Sequence, residues 1–404
     1  MSARLSVVDE IFLRTHRGWG NPVVMQGLWR CTGRVEPTLL EEVRQALAHG
    51  RLGRRVVRSR VPLARPRFTV DTSANPIHYR TIAASNLLDW ADEQACLDVN
   101  PETGPGWRMS VAHLDDGDTV VSLVCSHVVA DARGLVSGIE DAMTGRAFTP
   151  LHDRATSDAR DALALVTRVG WRTAVAVAGL IRHPSRRREL TRTQHTSPAP
   201  TRSCTRVIAE IGVPDWSDCA AREGGTPNSL FLSVVAELAR ADNEPVVLSV
   251  PMDVRTSDGV DNAIAMVEVT VGPQDTTAHI RDASRAAYDS PPMSSPAGFP
   301  EELLQVVPDR LAHKLASAPG ERDALCSNIG RIPETVRTLG PHQATGIATR
   351  AVHPNTPATH TRIFAFLNEF DDRYTLALES TLDHDLHSRT IDVLTSRGLH
   401  PKLW

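Results

Sequence analysis

Strand-like and helix-like segments alternate along most of this chain of 404 residues. Residues 35–48 carry apolar side chains at helical spacing behind an acidic start, which is typical of an amphipathic helix. Residues 119–125 are rich in valine and almost wholly apolar, which is typical of a strand. This mixed order predicts an α/β (α+β) fold with mixed sheets and argues against a doubly wound parallel sheet.

A basic stretch rich in proline, serine and threonine interrupts this alternation at residues 183–205. Its composition is typical of a linker, and the chain is long enough for two domains. We therefore expect an N-terminal lobe at 1–182 and a C-terminal lobe at 206–404. The apolar helical segment 161–181 before the linker has the pattern of a membrane-surface helix, but it follows a globular lobe, which favours a core or crossover helix.

Composition narrows the classes of function. Hydrophobic residues make up 41% and charged residues 23%, the balance of a soluble globular protein. The net charge of −4 favours neither nucleic acid nor an anionic membrane as a partner. The sequence shows no secretory signal and no apolar run of about 18 residues. Six cysteines without metal-type spacing are typical of buried thiols, so we expect a cytoplasmic protein.

A histidine stands where a predicted hairpin meets a predicted helix. Residues 107–114 and 119–125 flank a turn and form the hairpin, the chain then enters Ser126-His127, and a helical pattern resumes near Gly134. Imidazole has the pKa that a general base needs near neutral pH. Asp131 lies four residues later and can orient the ring or cap the helix. Spacing alone equally fits a hydrogen-bonded core histidine.

Seven segments, in this order, resemble the condensation-domain and chloramphenicol acetyltransferase-like acyltransferases. Within that superfamily the likeness is greatest to wax ester synthase/diacylglycerol acyltransferases and polyketide-associated acyltransferases. The segments are LSVVDEIFL (5–13), GPGWR (104–108), SHVVAD (126–131), GTPNSLFL (225–232), SVPMDVR with DN (249–255, 261–262), CSNIG (326–330) and GLHPKLW (398–404). Their order favours the catalytic interpretation of the histidine motif.

The resemblance implies two chloramphenicol acetyltransferase-like lobes in a V around a central tunnel. It implies that His127 is the general base and that Asp131 is structural, paired with an arginine that we assign to Arg255. Ser327 and Asn328 would lie beside the tunnel, where a donor can stabilise an oxyanion. No bound cofactor is implied. Coenzyme A or the phosphopantetheine arm of a carrier protein would deliver the acyl group as a thioester co-substrate.

Two positions depart from the pattern of the superfamily. Ser126 stands where many relatives have a first histidine, and Ala132 replaces the glycine after the motif aspartate. The methyl group of Ala132 would narrow the acceptor channel or tilt the turn. We count both as tunnel candidates. His384 and His387 have metal-like spacing without a third ligand nearby, so we expect a solvated helix start and no metal site.

Three functions remain open at this stage. The first is acyl transfer from a thioester to a hydroxyl or amine acceptor, in specialised-metabolite or lipid biosynthesis. The second is amide formation by a stand-alone condensation enzyme. The third is a catalytically idle member that binds a carrier protein or metabolite, which Ser126 and Ala132 would fit. In each case we expect a monomer that does not contact membranes, with a small-molecule acceptor and an acyl donor as partners.

Overall fold

The computed structural model describes residues 4–18, 22–146, 157–182, 204–241, 243–254, 262, 264–290, 300–308, 322–354, 361–382 and 385–404. The described helices are α1 (Val7–Gly18), α2 (Pro37–His49), α3 (Leu87–Ala95), α4 (Ala132–Thr144), α5 (Asp158–Arg182), α6 (Val213–Arg222), α7 (Pro227–Ala239), α8 (Thr277–Asp289), α9 (Leu303–Val306) and α10 (Leu386–Thr395).

The described strands are β1 (Val24–Cys31), β2 (Arg54–Val57), β3 (Arg67–Val70), β4 (His78–Ile82), β5 (Trp107–Leu114), β6 (Thr119–Ser126), β7 (Thr205–Gly212), β8 (Val246–Asp253), β9 (Ile264–Val271), β10 (Ala324–Arg331), β11 (Thr338–Leu339), β12 (His342–Val352), β13 (Ile363–Phe370), β14 (Arg373–Ser380) and β15 (Lys402–Leu403).

These strands form two large sheets and one small one. The first sheet has the order β11-β12-β1-β6-β5-β4, and the second has the order β15-β7-β14-β13-β10-β8-β9, while β2 and β3 form the small one. Most neighbours are antiparallel, but β4 runs parallel to β5, and β10 runs parallel to both β8 and β13. The predicted α/β (α+β) fold with mixed sheets is therefore confirmed.

Local sequence patterns placed several elements correctly. The predicted hairpin is β5–β6, and the predicted helix after the histidine is α4. One predicted strand is shorter than expected, because residues 54–61 form a strand only to Val57. The hydroxyl of Ser59 accepts a hydrogen bond from the Val61 backbone at 2.9 Å, and this turns the chain ahead of Pro62.

Strand β12 comes from the C-terminal half of the chain but belongs to the first sheet. It pairs antiparallel with β1 along its length, with Val352 opposite Val24 and Leu28 opposite Ala348. The division into lobes at 1–182 and 206–404 stays a prediction, and residues 183–203 of the linker lie outside the described residues. The first sheet nevertheless takes strands from both sides of that division.

The interface between the sheets is polar along β12. The side-chain amide of Asn368 in β13 donates to the Ile347 carbonyl at 2.9 Å and accepts from the Thr349 hydroxyl at 3.0 Å. Asn368 and Thr349 are each 1% exposed. Buried polar groups in this position need partners, so these bonds fix the register of β12 against β13.

A partly buried ion network crosses the same interface. Arg350 of β12 contacts Asp92 of α3 at 2.7 Å, and Asp92 also contacts Arg206 of β7 at 2.8 Å. Arg206 in turn contacts Glu379 of β14 at 2.9 Å. The chain of alternating charges thus joins the first sheet and its helix to the second sheet.

Helix α5 packs through one face only. Its first turn is held by ion pairs from Asp158 to Arg4 and from Asp161 to Arg65. Trp171, on the outer face, is 73% exposed. In the part of the chain that the structure describes, no helix combines the length and the apolar character needed to cross a membrane.

The cysteines follow the prediction only in part. Cys31, Cys125, Cys219 and Cys326 are buried and free, as predicted. Cys96, however, is exposed and Cys204 is half-buried, since both lie at the edge of the ion network and not within a sheet core. Burial raises the pKa of the Cys125 thiol to about 12, so this thiol is inert at neutral pH.

The ion network gives a stability prediction. Arg206→Met removes the central cation and leaves the buried Glu379 carboxylate without its ion-pair partner, while Asp92 keeps Arg350, so we expect the free energy of unfolding to fall by about 1–3 kcal/mol. The control is Arg80→Met, which breaks the exposed Arg80–Glu93 pair next to the same helix and should cost less than about 1 kcal/mol. Denaturant titration measures both, and equal losses would contradict the role of the network.

Candidate functional site

His127 follows the last residue of β6, where the chain turns tightly towards α4. Its backbone N–H donates to the Val23 carbonyl at 3.0 Å, and the Val129 N–H closes the turn onto the Ser126 carbonyl at 2.8 Å. Gly106 allows this turn to approach, because a Cβ atom at that position would lie 2.6 Å from the side chain of Val129. His127 is therefore held at the end of β6 by a main-chain hydrogen bond to Val23 and by the hydrogen bond that closes its own turn.

The buried side chain of Arg54 supports the turn that carries His127. The guanidinium of Arg54 donates to the Val129 carbonyl and lies over the ring of Phe68, 4.0 Å from its centroid. Arg54 is 2% exposed. The sequence analysis did not identify it, because a lone arginine at the start of a predicted strand carries no motif signal.

Helix α1 places an aromatic ring on the histidine. The rings of Phe12 and His127 are stacked, with centroids 3.7 Å apart and planes 14° apart. Leu5 and Leu13 pack with Val128 in a small buried cluster beneath this contact. The LSVVDEIFL segment thus acts as a support for the turn that carries the histidine.

A carboxylate and an amide connect α1 to the same turn. Asp9 accepts a hydrogen bond from the Asn262 side-chain amide at 2.6 Å, and that amide also donates to the His127 carbonyl at 2.8 Å. Asp9 is held in turn by the backbone N–H of Ser6 at 2.9 Å. Asp9 and Asn262 lie in two of the resembling segments, but their sequence positions alone do not identify them as site residues. Their separation of 253 positions explains why spacing could not connect them.

The environment of His127 keeps its imidazole uncharged. The residue is 8% exposed, and burial lowers its pKa below the usual 6.5. The charges of Asp131 and Asp9 and the amide of Asn262 act in the opposite direction. Among the described residues, its Nδ1 atom is buried without a hydrogen-bond partner. A neutral ring with an uncommitted nitrogen can accept a proton from a bound molecule.

Asp131 caps α4. Its carboxylate accepts from the Gly134 N–H at 2.8 Å, and its backbone is extended, as an N-cap requires. The residue is 4% exposed. Its structural role is consistent with this geometry, whereas Arg255, the expected partner, lies outside the described residues, so that pairing stays a prediction.

The remaining predicted residues lie on two elements. Ser126 is buried in β6, and its hydroxyl accepts a hydrogen bond from the Val128 N–H at 3.4 Å. Ala132 is half-buried as the first residue of α4. Ser327 and Asn328 lie on β10 of the second sheet, where the Asn328 amide donates to the Asn228 side chain at 2.8 Å. No contact described here joins them to the histidine, so their tunnel role stays a prediction.

An ion pair and a close approach connect α4 to the second sheet. Arg133 contacts Asp253 at the end of β8, with 3.4 Å between the charged atoms. Gly330 of β10 has a positive φ of 80°, and a Cβ atom there would lie 3.2 Å from the Arg133 guanidinium. The helix that begins at Asp131 therefore contacts β8 and β10, the strands that carry the resembling segments SVPMDVR and CSNIG.

One of the two histidines with metal-like spacing lies on α10. His387 is exposed in the first turn of α10, and its backbone N–H donates to Asp385 at 3.0 Å. His384 lies outside the described residues, so the expectation of no metal site stays a prediction.

Comparison with known proteins gives a fold and no family model. No protein-family model and no curated protein sequence matches the chain. Among solved structures, it is similar to the wax ester synthase/diacylglycerol acyltransferase from Marinobacter aquaeolei VT8, with 14% identity, a TM-score of 0.57, and 98% and 97% of the two chains covered. It is also similar to the first condensation domain of the CDA synthetase, with 13% identity, a TM-score of 0.59, and 98% and 94% covered.

A third solved structure has the same likeness. The polyketide synthase associated protein 5 from Mycobacterium tuberculosis shares 12% identity at a TM-score of 0.59, with 98% and 96% of the two chains covered. At such identities the likeness shows the fold alone. The chain has the condensation-domain and chloramphenicol acetyltransferase-like fold that the sequence analysis expected. The V-shaped arrangement around a tunnel stays a prediction.

The amide bridge gives a second stability prediction. Asn262→Ala removes the amide that joins the Asp9 carboxylate to the His127 carbonyl, while Asp9 keeps the Ser6 N–H, so we expect the free energy of unfolding to fall by about 1–3 kcal/mol. Asn75→Ala is the matched control, since it removes one hydrogen bond to the Trp107 carbonyl at 3.1 Å, away from the turn. Thermal and denaturant unfolding would measure both. An Asn262→Ala protein as stable as the control would contradict the bridge.

Proposed function

We propose that this protein is an acyltransferase that moves an acyl group from a thioester to a hydroxyl or amine acceptor, with His127 as general base. One observation carries the proposal: His127 is buried, its pKa is lowered, and its Nδ1 atom has no partner among the described residues. A core histidine that served only structure would use its ring nitrogens in hydrogen bonds. The fold shared with acyltransferases and condensation domains supports the same conclusion.

The reaction balances without a redox partner. A ring nitrogen of His127 takes the proton of the acceptor O–H or N–H as the acceptor atom bonds to the thioester carbonyl carbon. The tetrahedral intermediate collapses, the C–S bond breaks, and the imidazolium returns its proton to the leaving thiolate. The products are an ester or amide and a free thiol.

The neighbours of His127 prepare the ring for this step. Stacking on Phe12 fixes the ring plane, and the Asp9–Asn262 bridge fixes the backbone that carries it. A base held in one orientation lowers the entropy lost on reaching the transition state. Burial keeps the ring neutral before the acceptor arrives, so that it is ready to accept a proton.

Further roles belong to the proposal. Asp131 would pair with Arg255 and hold the start of α4. Asn328 would stabilise the oxyanion, because its amide uses one N–H on Asn228 and retains a second. Ser327, its neighbour on β10, would share that task. Coenzyme A or a carrier-protein phosphopantetheine would present the acyl group, with a small molecule as the acceptor.

The base proposal predicts a large loss of rate. His127→Ala should lower kcat/KM by about 10²–10⁴-fold, the usual contribution of a general base. The control is His113→Gln, since His113 is also a buried histidine but lies in β5 with its Nδ1 on the Thr119 hydroxyl at 3.2 Å. Initial rates with an acyl-coenzyme A panel measure both. Near wild-type transfer by His127→Ala would show that His127 is not the base.

The same panel separates the functions that the sequence left open. Alcohol and amine acceptors, followed by mass spectrometry of the products, distinguish ester formation from amide-forming condensation. A protein that binds donors or acceptors without forming either product is the idle form, and that result would overturn the enzyme proposal.

The lowered pKa of His127 predicts a pH profile. The neutral ring is the active form, so kcat/KM should be constant from about pH 7 to 8 and fall only below the ordinary histidine value of about 6.5. Protonation of the buried ring also costs folding stability as pH falls below that value, because the unfolded state then binds more protons. Asp9, Asp131 and His353 are the other titratable groups near the ring. A rate that declines already between pH 8 and 7 would contradict this assignment.

A further inference from the structure

A second histidine, His353, is half-buried and lies at the same end of the first sheet's strands as His127. Residue Val352 ends β12 opposite Val24 of β1, and Val24 lies opposite Ser126 of β6. His353 follows Val352 and His127 follows Ser126, so both histidines lie just beyond the ends of their strands. Two strand spacings separate their backbones, roughly 10 Å, so their side chains can approach one small group between them.

His353 is uncharged and has a buried nitrogen without a partner. Burial lowers its pKa, and the positive charge that His127 gains on protonation would lower it further. Among the described residues, the Nδ1 atom of His353 makes no hydrogen bond, and the same holds for Nδ1 of His127 and Oδ1 of Asn262. Orphaned buried polar atoms are rare and costly, so the Nδ1 atom of His353 points to a polar molecule that completes it.

The second sheet fixes the ring of His353. Its centroid lies 4.9 Å from that of Phe364 in β13, with 47° between the ring planes. Glu379 of β14 is near enough to favour the charged form of the ring, and Arg206 is near enough to oppose it. The ring is therefore placed between the base and the ion network, with packing on one side.

We propose that His353 is a specificity-determining residue that binds a second polar group of the acyl acceptor. This inference rests on the proposed function. Close to the reacting carbon a thioester offers its carbonyl oxygen and its sulfur, and the first amide of the phosphopantetheine arm lies two carbons beyond the sulfur. An acceptor can carry a further hydroxyl or amine directly beside its nucleophile. The fitting class is an acceptor with a second hydrogen-bonding group three bonds from the attacking atom, such as a 1,2-diol or a 2-amino alcohol.

A neutral imidazole suits such a group. One ring nitrogen donates and the other accepts, so it can bind a hydroxyl in either sense. A site built to hydrogen-bond a substrate group also rejects the analogue that lacks it, because the buried ring then stays unpaired. The wild-type enzyme should therefore prefer a diol to the matched monohydroxy alcohol.

The first experiment compares a 1,2-alkanediol with the primary alcohol of equal chain length, using one acyl-coenzyme A donor. The readout is the ratio of their kcat/KM values. We expect a ratio of about 5- to 50-fold in the wild type, from one buried hydrogen bond, and near unity in His353→Leu. His353→Asn should retain most of the preference, since its side chain places a polar atom near the Nδ1 position, whereas His353→Gln should not. Phe364→Leu, which changes only the packing behind the ring, is the matched control.

The second experiment measures binding without turnover. Calorimetric titration of the diol and the alcohol into His127→Ala, and into the His127→Ala/His353→Leu double variant, tests the same preference. If the wild type transfers no acyl group but the binding preference exists and depends on His353, the proposed function fails, and of the inference only the binding of a second polar group by His353 stands. If transfer occurs and His353→Leu leaves both the rate ratio and the binding ratio unchanged, the inference fails alone. Absence of both transfer and preferential binding overturns both.

Discussion

Strand β12 is the constraint on which the rest of the structure depends, because it belongs to the first sheet by backbone pairing and to the second by side-chain contacts. Its hydrogen bonds run to β1, while Thr349 and Arg350 on it reach Asn368 and the ion network. A slip of β12 by one residue would turn these buried polar side chains to the wrong face. It would also displace His353 from its position at the end of β12, level with His127 at the end of β6. The placement of the candidate site is thus set by the register of a strand far from it in sequence.

The cost of burying charge at this junction has a physical consequence. An apolar interface of equal volume would be as stable or more so, since desolvation cancels much of the attraction between buried ions. Arg350 contacts Asp92 directly, and Arg206 and Glu379 complete the chain of ion pairs. We infer that the network selects one arrangement of the two sheets over others of similar packing. A site whose residues come from both sheets depends more on one fixed arrangement of the sheets than on extra stability.

Sequence reasoning succeeded where the signal was local. The β5–β6 hairpin and helix α4 follow from contiguous patterns of a few residues, and these patterns place His127 at a strand end. Strands β1 and β12 escaped prediction because glycine, glutamine, threonine and arginine interrupt their alternation, and those polar groups find partners only in the folded protein. Arg54 and Asn262 escaped for the same reason. What their side chains do is decided by a backbone carbonyl brought close by the fold, and no spacing in the chain encodes that distance.

The four-residue spacing of His127 and Asp131 therefore has a different meaning from the one that it suggests. A carboxylate near a histidine invites the interpretation of a base and its orienting acid, yet Asp131 accepts from the Gly134 N–H and starts a helix. The groups that position the histidine are Phe12, which stacks on its ring, and Asn262, which binds its carbonyl. Neither is close to it in the sequence. The motif thus combines the proposed base with the turn that carries it, and distant elements supply the orientation. Such a division leaves the Nδ1 atom without a hydrogen-bond partner among the described residues, which suits the proposed role of accepting a proton from substrate.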